Sequence, residues 1–534
     1  TMTNLNLILD PWIPVRRRSG RRSYLAPWQV FGDAEDPAMA PASPRADLDG
    51  GIVQLLIGLL QAVMPPRDEE EWALRATGPP APEELRRRLE PLAPAFELLG
   101  PGPRFLQDPR VARAGDKPWP AEKLLIDLGL SEGADHFARN GSVGDLCTAC
   151  AAAALTTLQT SAPTGGRGHM TGMRGGGPLT TLVTAAGAGA TLWPAVWLNV
   201  LPLSSWAHPP PPDLAASERV FPWLAATGPG EPKRAPELTP EDAHPLQCYF
   251  SMPRRLWLGD PEDGDCGLCG RRDLPVVTAF LARPNGIRYA GAWIHPLSPY
   301  RRTKDEQRLA LKGDRAGLGY RHWLGLVVAP PGGAVEPALV VQEINRDGVR
   351  FEQAGDLRLW AFGYAMDNMR PIAWCEGRMP IYLVPAELAA TYAAQVGRLV
   401  EGASLAERYL RFAVKKLIAR RPKDVKNEPE NVSTRFWERT EVAFYDLARQ
   451  LLDALRASDD DEPLRRHWHR LLAHHARRIF EQEVSEADFR AADPGQVARA
   501  WKGLQNALRG KKILAALDLP IKKRPAAEKA AKGG

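Results

Sequence analysis

Four of the six cysteines stand in two Cys-x-x-Cys pairs, Cys147 with Cys150 and Cys266 with Cys269, while Cys248 and Cys375 stand alone. The two-residue spacing lets both sulfurs of a turn reach one ion. Two such pairs make a tetrahedral four-sulfur set of the kind that suits zinc. Position 150 is far from position 266, well beyond a compact zinc ribbon, so a shared ion would staple distant segments and close a loop that is entropically costly in the free chain. A redox dithiol is the rival reading, but paired motifs in a reducing compartment favour metal. A closed four-cysteine site leaves no coordination position for water. The expected cofactor is therefore structural Zn2+, and zinc-dependent hydrolysis is disfavoured.

The first pair leads into an apolar run, Ala151 to Leu158, and then into a loop carrying Gly165, Gly166, Gly168, Gly172, Gly175, Gly176 and Gly177, interleaved with Arg167, His169 and Arg174. Glycine permits positive φ and close backbone approach, and arginine offers a planar fork of donors to phosphates or base edges. On this stretch alone two readings stay open: a rigid reader of nucleic acid pinned by thiolates, or a surface loop beside two buried thiols. Arg16, Arg17, Arg18, Arg21 and Arg22 crowd a hairpin turn at Ser19-Gly20, which reads as a solvated turn before it reads as a phosphate site. His467, His469, His474 and His475 have no acidic ligand pattern beside them and read as packed or solvated histidines. Asp263, Asp265 and Asp273, near the second cysteine pair, read as a polar turn rather than a magnesium site.

No G-x-x-x-x-G-K-[ST], H-E-x-x-H, G-x-S-x-G or H-x-E…C-x-x-C set occurs, so no enzyme class is indicated. Gly187-x-Gly189 has Leu192 where a dinucleotide fingerprint needs its third glycine. A zinc-containing, metal-dependent nuclease acting on DNA or RNA stands as the alternative function, supported only by the implied nucleic-acid binding.

These residues must be positioned by an α+β fold. Val15 to Arg22 reads as a hairpin, 51–64 as a buried helix ended by Pro65-Pro66, 67–93 as amphipathic helix, and 179–206 as sheet and core behind the glycine loop. Residues 208–246 read as a proline-rich linker or insertion. Segments 271–299 and 320–344 read as strands, and 357–376 as a strand running into a turn. From Pro385 the apolar spacing becomes helical: Leu388, Tyr392, Val396 and Leu399; Phe444, Leu447, Leu451 and Leu455; Leu464, Trp468, Leu471, His475 and Ile479; Val497, Trp501, Leu504 and Leu508. The expected division is a large mixed N-terminal domain, 1–378, holding the zinc knuckle, then an antiparallel four-helix bundle, 379–517. A basic tail, 518–534, is expected to be disordered; it also resembles a nuclear-import signal or a sequence added for expression.

The 534 residues are 44% hydrophobic, enough for a large core in more than one domain. Lys and Arg number 69 against 63 Asp and Glu, so local basic patches matter more than the net charge of +6. No uninterrupted apolar run reaches the length of a membrane span. TNLNLILD after Met2 has neither a basic nor a long apolar region, so no signal peptide, no membrane and a cytoplasmic protein are expected.

The opening NLILDPWIPV, the Cys147 knuckle, the loop APTGGRGHMTGMRGGGPLTTLV, the second knuckle, WIHPLSPYRR at 293–302 and FGYAMDNM at 362–369 occur in this order. Followed by a helical C-terminus, this set resembles the large subunits (CasA) of type I-E CRISPR surveillance complexes, Cascade, over nearly the whole chain. The resemblance implies a non-enzymatic DNA reader that docks near the 5′ handle of the guide crRNA among the other Cascade subunits. It recognises the PAM in target double-stranded DNA from the minor groove, wedges the duplex open for R-loop formation, and recruits the CRISPR helicase-nuclease. Delegating sequence to guide pairing while protein reads a short PAM is the logic of such effectors.

The resemblance also carries residues. The family's glycine loop matches Thr164, Gly165, Gly166 and Arg167, where Arg167 departs from the all-small pattern. The minor-groove lysine falls within Phe280 to Pro284, where Arg283 is the one basic residue. The wedge falls at Asp367-Asn368-Met369, with Asn368 in place of the usual glutamine and Met369 beside it to share stacking. Lys415, Lys416, Arg420, Arg421, Lys423 and Lys426 form a basic cluster at the end of the first bundle helix. It is either a solvated helix end favoured by the dipole or a contact to the displaced strand or neighbouring subunits.

Overall fold

Frequent proline and glycine cut the first two-thirds of the chain into short elements, and the last third has few of either. In the computed structural model, which describes residues 4–111, 117–128, 141–166, 168–187, 190–225, 234–330, 332–346, 356–367, 370–418, 430–486 and 493–521, this contrast becomes strands and short helices followed by long helices. In order these are β1 (Ile13–Arg17), β2 (Arg22–Leu25), β3 (Ala38–Pro41), α1 (Ala46–Val63), α2 (Glu69–Ala76), α3 (Pro82–Leu89), β4 (Trp119–Pro120), β5 (Leu146–Cys147), α4 (Thr148–Ser161), β6 (Thr180–Ala185) and α5 (Leu192–Trp197). Then come β7 (Glu237–Leu238), β8 (Arg255–Leu258), β9 (Glu262–Gly264), β10 (Leu274–Val277), β11 (Ala279–Arg283), β12 (Arg288–Tyr289), β13 (Tyr300–Arg302), β14 (Arg308–Ala310), α6 (Trp323–Leu326), β15 (Val335–Glu336), α7 (Leu339–Arg346), β16 (Leu357–Asp367) and β17 (Arg370–Pro380). The last helices are α8 (Ala386–Ile418), α9 (Glu430–Ala457), α10 (Glu462–Glu486), α11 (Pro494–Leu508) and α12 (Lys511–Ala516). The chain forms two units. One is Thr1–Leu318, Gly325–Val327 and Gly333–Leu383; the other is Gly319–Leu324, Val328–Gly332 and Val384–Gly534.

In the first unit the strands form small sheets, ordered β2-β1-β3, β5-β10-β9, β4-β11-β8, β12-β7, β14-β13-β15 and β17-β16-β6. The expected hairpin is present, turning through Gly20 at φ +85. The buried helix starts earlier than expected, at Ala46, with Asp47 and Asp49 in its first turn and the Asp49 carboxylate accepting from the Ser43 amide at 2.8 Å. It stops before Pro65-Pro66. By length and composition α1 would suit a membrane, yet its residues are buried within this unit, as in the core helix of a globular domain. It packs on α4. A methyl group added at Gly51 would strike Thr157 of α4, and one at Gly50 would strike Phe362 of β16, so these two glycines set how closely helix and sheet approach.

Two expected elements differ besides 179–206, which reads as sheet and core but holds the helix α5 (Leu192–Trp197) after β6. Residues 67–93 are not one helix but α2 and α3, separated at Gly78-Pro79-Pro80, because proline cannot continue the hydrogen-bond ladder. The segment read as strand at 320–344 is largely helical. Val340, Val341 and Ile344 are buried on one face of α7, a spacing that a short apolar run shares with a strand. The strand expected from Leu357 is one arm of a long hairpin, with β16 pairing β17 from Arg358↔Pro380 to Asp367↔Arg370 and β6 on its other side.

In the second unit α8 packs against α9, α10 and α11, and α9 against α10. Tyr392, Val396, Leu399, Phe444, Leu451, Trp468, Ile479, Leu504 and Leu508 are buried as the periodicity predicts. On α10, Leu472 and Ala476 are buried in place of Leu471 and His475, a shift of one residue within the stripe. The Trp468 indole donates to the Leu399 carbonyl at 2.9 Å. Asp493 accepts from the Gly495 amide at 2.9 Å and Pro494 opens α11, the expected cap. Asp518 and Leu519, assigned to the tail from sequence, are packed: Leu519 is buried and Asp518 accepts from Arg398 at 2.9 Å. Residues 522–534 lie outside the described residues.

Candidate metal centre and nucleic-acid interface

The two cysteine pairs meet although sequence separates them widely. β5 runs antiparallel to β10, with Cys147 opposite Val276, and Cys147 is also the N-cap of α4, which puts Cys150 in the first helical turn. The second pair forms a tight knuckle after β9. The Cys266 amide donates to the Arg271 carbonyl at 2.8 Å, and the Gly270 amide to the Cys266 carbonyl at 2.9 Å, with Gly270 at φ +73. The Gly267 amide reaches the Asp145 carbonyl at 2.8 Å, and a side chain at Gly267 would run into the Val143 carbonyl. Glycine there lets one knuckle close on the other.

The four sulfurs lie within 4.8 Å of one another, three of the residues buried and Cys269 half-buried. Cys147 Sγ and Cys269 Sγ are 3.8 Å apart. A tetrahedral ion with metal–sulfur bonds of about 2.3 Å has edges of about 3.8 Å, so the donor set fits such an ion in size and chemistry. Hydrogen bonds from Cys147 and Cys150 pull Cys266 far below the ordinary thiol range. The same bonding, with burial, pushes Cys150 far above it. Arg271 Nη2 donates to Cys147 Sγ at 3.2 Å, and its guanidinium lies 3.8 Å over the Tyr24 ring of β2. Among the described residues these cysteines are the one group of metal-ligating side chains placed together.

α4 carries this cluster at its first turn and releases the glycine loop at its last. Gln159, in that last turn, donates Nε2 to the Arg254 carbonyl and accepts the Arg254 amide, each at 3.0 Å. The Arg254 guanidinium donates to the Pro163 carbonyl, and a methyl group at Gly165 would collide with it. Thr164 and Gly166 are exposed. Gly166 sits at φ +92 with open space where a side chain would project. The loop then folds back, with the Gly172 amide on the Ala162 carbonyl at 3.0 Å and the Gly177 amide on the Ser161 carbonyl at 3.1 Å.

Two further candidate segments converge on this loop. The Asn285 amide donates to the Gly168 carbonyl at 2.8 Å, and Gly168 lies against Pro284, so the turn after β11 seats beside the loop with Arg283 half-buried at the strand end. Near the far end of the long hairpin, Met366 and Tyr364 lie against Gly177, and Met366 also against Gly176. Asp367 is exposed, opposite Arg370. Arg167, Asn368 and Met369 lie outside the described residues, as do Arg420, Arg421, Lys423 and Lys426. Lys415 and Lys416 are half-buried in the last turn of α8, with Lys416 Nζ 4.6 Å over the Phe412 ring.

Other sequence candidates do not form sites. Arg174 turns inward, donating to Thr180 Oγ1 at 3.0 Å, Ser298 Oγ at 2.9 Å and Gln54 Oε1 at 2.8 Å. Arg17 is buried against Ser23 and Asp33. The Asp273 amide bonds Asp265 at 3.2 Å, a polar turn as expected. His469 Nε2 meets the Leu508 carbonyl at 2.7 Å. Sequence reasoning missed Arg271 and Arg254. A cation directly after Cys269-Gly270 is a readable signal for the first; nothing local marks the second.

Residues 6–479 match the model of the family described as CRISPR-associated protein Cse1. The fold is similar to that of CasA from Thermus thermophilus, with TM-score 0.67 at 18% identity over 95% of this chain and 99% of that chain. Thermobifida fusca Cse1 gives TM-score 0.68 at 18% identity over 96% and 97%. A chain of a CRISPR RNA-guided surveillance complex gives 0.66 at 16% over 95% and 100%.

Proposed function

The chain belongs to the CRISPR-associated protein Cse1 family, and from that membership we propose that it is the large subunit of a type I-E Cascade complex which reads the PAM of duplex DNA through the minor groove and opens the duplex for guide pairing. Members of the family are non-catalytic subunits. The observation that carries the reading is the meeting of three elements at one place: the glycine loop, the turn after β11, and the far end of the β16–β17 hairpin. Thr164, Gly165 and Gly166 present little but backbone, which is what approach to a narrow groove requires, and Arg167 next in the chain adds a phosphate or groove contact. Arg283, beside it, supplies a cation for phosphate or groove edge. Asp367, at the end of β16, with Asn368 and Met369 next in the chain, is the wedge that enters the first opened base step.

In this reading the N-terminal domain, 1–378, holds the DNA-reading parts, and 379–517 is the four-helix bundle. The basic residues Lys415, Lys416, Arg420, Arg421, Lys423 and Lys426 contact the displaced strand or neighbouring subunits. The protein works in the cytoplasm with the other Cascade subunits, the crRNA 5′ handle and the recruited helicase-nuclease. Cys147, Cys150, Cys266 and Cys269 hold a structural Zn2+. When bound, that ion ties the start of α4 to the second knuckle and so steadies the helix from which the glycine loop springs.

The test is gel-shift binding of the complex, with and without this subunit, to targets bearing randomised PAMs. PAM-dependent binding that disappears with the subunit supports a reader. Unchanged PAM dependence without it reduces the chain to a scaffold.

A further inference from the structure

Two arginines are buried here, Arg174 from the glycine loop itself and Arg254 behind it, and among the described residues both have only neutral partners. Arg254 is 3% exposed. It donates to the Pro163 carbonyl, and its Nε has no hydrogen-bond partner among the described residues. Arg174 is also buried and among the described residues bonds the neutral side chains of Thr180, Ser298 and Gln54. The neighbouring buried arginine differs: Arg255 Nε is paired with Asp108 at 2.8 Å, and Asp108 is shared with Arg110 at 2.7 Å. The carboxylate in this region is thus committed to Arg255 and Arg110. Burial lowers Arg254 and Arg174 each to about 10, so both stay protonated at neutral pH. His169 adds no charge of its own, being held down to about 4 by burial and then by Arg254.

An uncompensated buried cation is costly, and its field is weakly screened by protein compared with water. The Arg254 guanidinium lies directly against Gly165, since even a methyl group there would collide with it. At Gly166 the space outward is open. A cation so close to the loop backbone acts on whatever lies against the loop, and a DNA groove with its flanking phosphates is strongly negative.

We infer that Arg254 is a fixed cation of the DNA-binding face, drawing the anionic backbone of duplex DNA against Gly165 and Gly166 from beneath the loop without inserting into the groove. The inference rests on the glycine loop being the DNA-reading element. It separates two tasks: glycine gives the loop its thinness, and Arg254 gives it charge that does not depend on base sequence.

The experiment measures binding of the assembled complex to a PAM-bearing duplex and a PAM-less duplex between about 50 and 200 mM salt, for the wild type, Arg254→Gln and Arg254→Lys. Glutamine keeps a donor for Pro163 and loses the charge; lysine keeps the charge and loses the fork. Each neutralised phosphate contributes about 0.9 to the slope of log affinity against log salt. Arg254→Gln should therefore flatten the slope by about 0.9, so that its loss over this salt range is about 3-fold smaller than that of the wild type. Its preference for the PAM duplex should stay as it is. Arg254→Lys should keep the wild-type slope. An unchanged slope in Arg254→Gln, whatever its affinity, means the residue only holds the loop and overturns the inference. If Arg254→Gln does not assemble, the lysine variant decides: a wild-type slope supports the inference and a flatter one overturns it. Gly166→Leu in the same assay tests the underlying reading separately. If it leaves PAM binding intact the glycine loop is not the reader, whereas lost binding together with an unchanged Arg254→Gln slope sinks only the role of Arg254.

Discussion

At Gly165 and Gly166 adjacent glycines have different reasons. Gly165 has no room for a side chain, because Arg254 occupies it. Gly166 has room but holds a backbone conformation that side chains disfavour, at φ +92. Gly166→Leu should cost the fold only about 1–2 kcal/mol yet weaken PAM engagement at least about tenfold on short duplexes, since leucine would stand between backbone and groove. Binding within twofold of wild type would refute this. Asp49 makes a separate prediction. Burial raises its carboxyl to about 6, against hydrogen bonds from Ser43 that lower it. Between about pH 4 and 6 the unfolded chain releases this proton while the folded chain keeps it, so stability falls as pH rises through that window. Asp49→Asn removes the penalty and should stabilise the chain by about 2–3 kcal/mol at pH 7 with little change at pH 4. Thermal melts at both pH values check it, and equal shifts at the two would contradict it.

Two elements carry the site. α4 joins metal centre to glycine loop in one rigid piece, with Cys147 at its cap, Cys150 in its first turn and Gln159 locking its last turn to Arg254. The β16–β17 hairpin is long, with β16 paired to β17 out to Asp367↔Arg370 and to β6 along part of its other side, and in the proposed reading the two residues that follow Asp367 in the chain are the wedge. Unstacking a base step costs a few kcal/mol, and a side chain stacking there offsets part of it. Asn368→Ala combined with Met369→Ala should therefore slow R-loop formation while leaving PAM engagement largely intact. Negative supercoiling should rescue this pair more than it rescues Gly166→Leu. The measurement is R-loop formation on single supercoiled DNA molecules, with PAM binding scored on short duplexes. Equal loss of PAM binding in both variants would show that the tip is not the wedge.

Over the whole molecule, the four-cysteine cluster closes the chain between positions 150 and 266, within the first unit. A bound ion is then coupled to folding. Elemental analysis should find zinc near one equivalent per chain, with Cys248 and Cys375 contributing nothing. Stripping it under denaturing chelation should lower the melting temperature and loosen the glycine loop to proteolysis. Metal-free protein of undiminished stability would rule the site out. Magnesium or manganese added to the complex, with the helicase-nuclease omitted, should give no specific cleavage of target DNA. Cleavage abolished by a point substitution in this chain would overturn that expectation.

The sequence by itself determined what depends on neighbours a few residues away. Hairpin turns, helix caps such as Asp493-Pro494, the apolar stripes of α8 to α11 and the two cysteine knuckles were legible because period, φ preference and thiolate spacing are local properties. Whether Val340, Val341 and Ile344 form strand or helix was not legible, since a short apolar run satisfies both periods and tertiary burial decides. The meeting of the two knuckles was expected from their paired spacing, but only the tertiary structure decided that Arg174 faces inward and that Arg254 underlies Gly165. Such pairings depend on contacts between residues far apart in the chain, where loop closure leaves no trace in local sequence. The physical reason is the range of each force: local sterics write themselves into residue order, whereas desolvation and the pairing of buried charge are settled when distant segments pack.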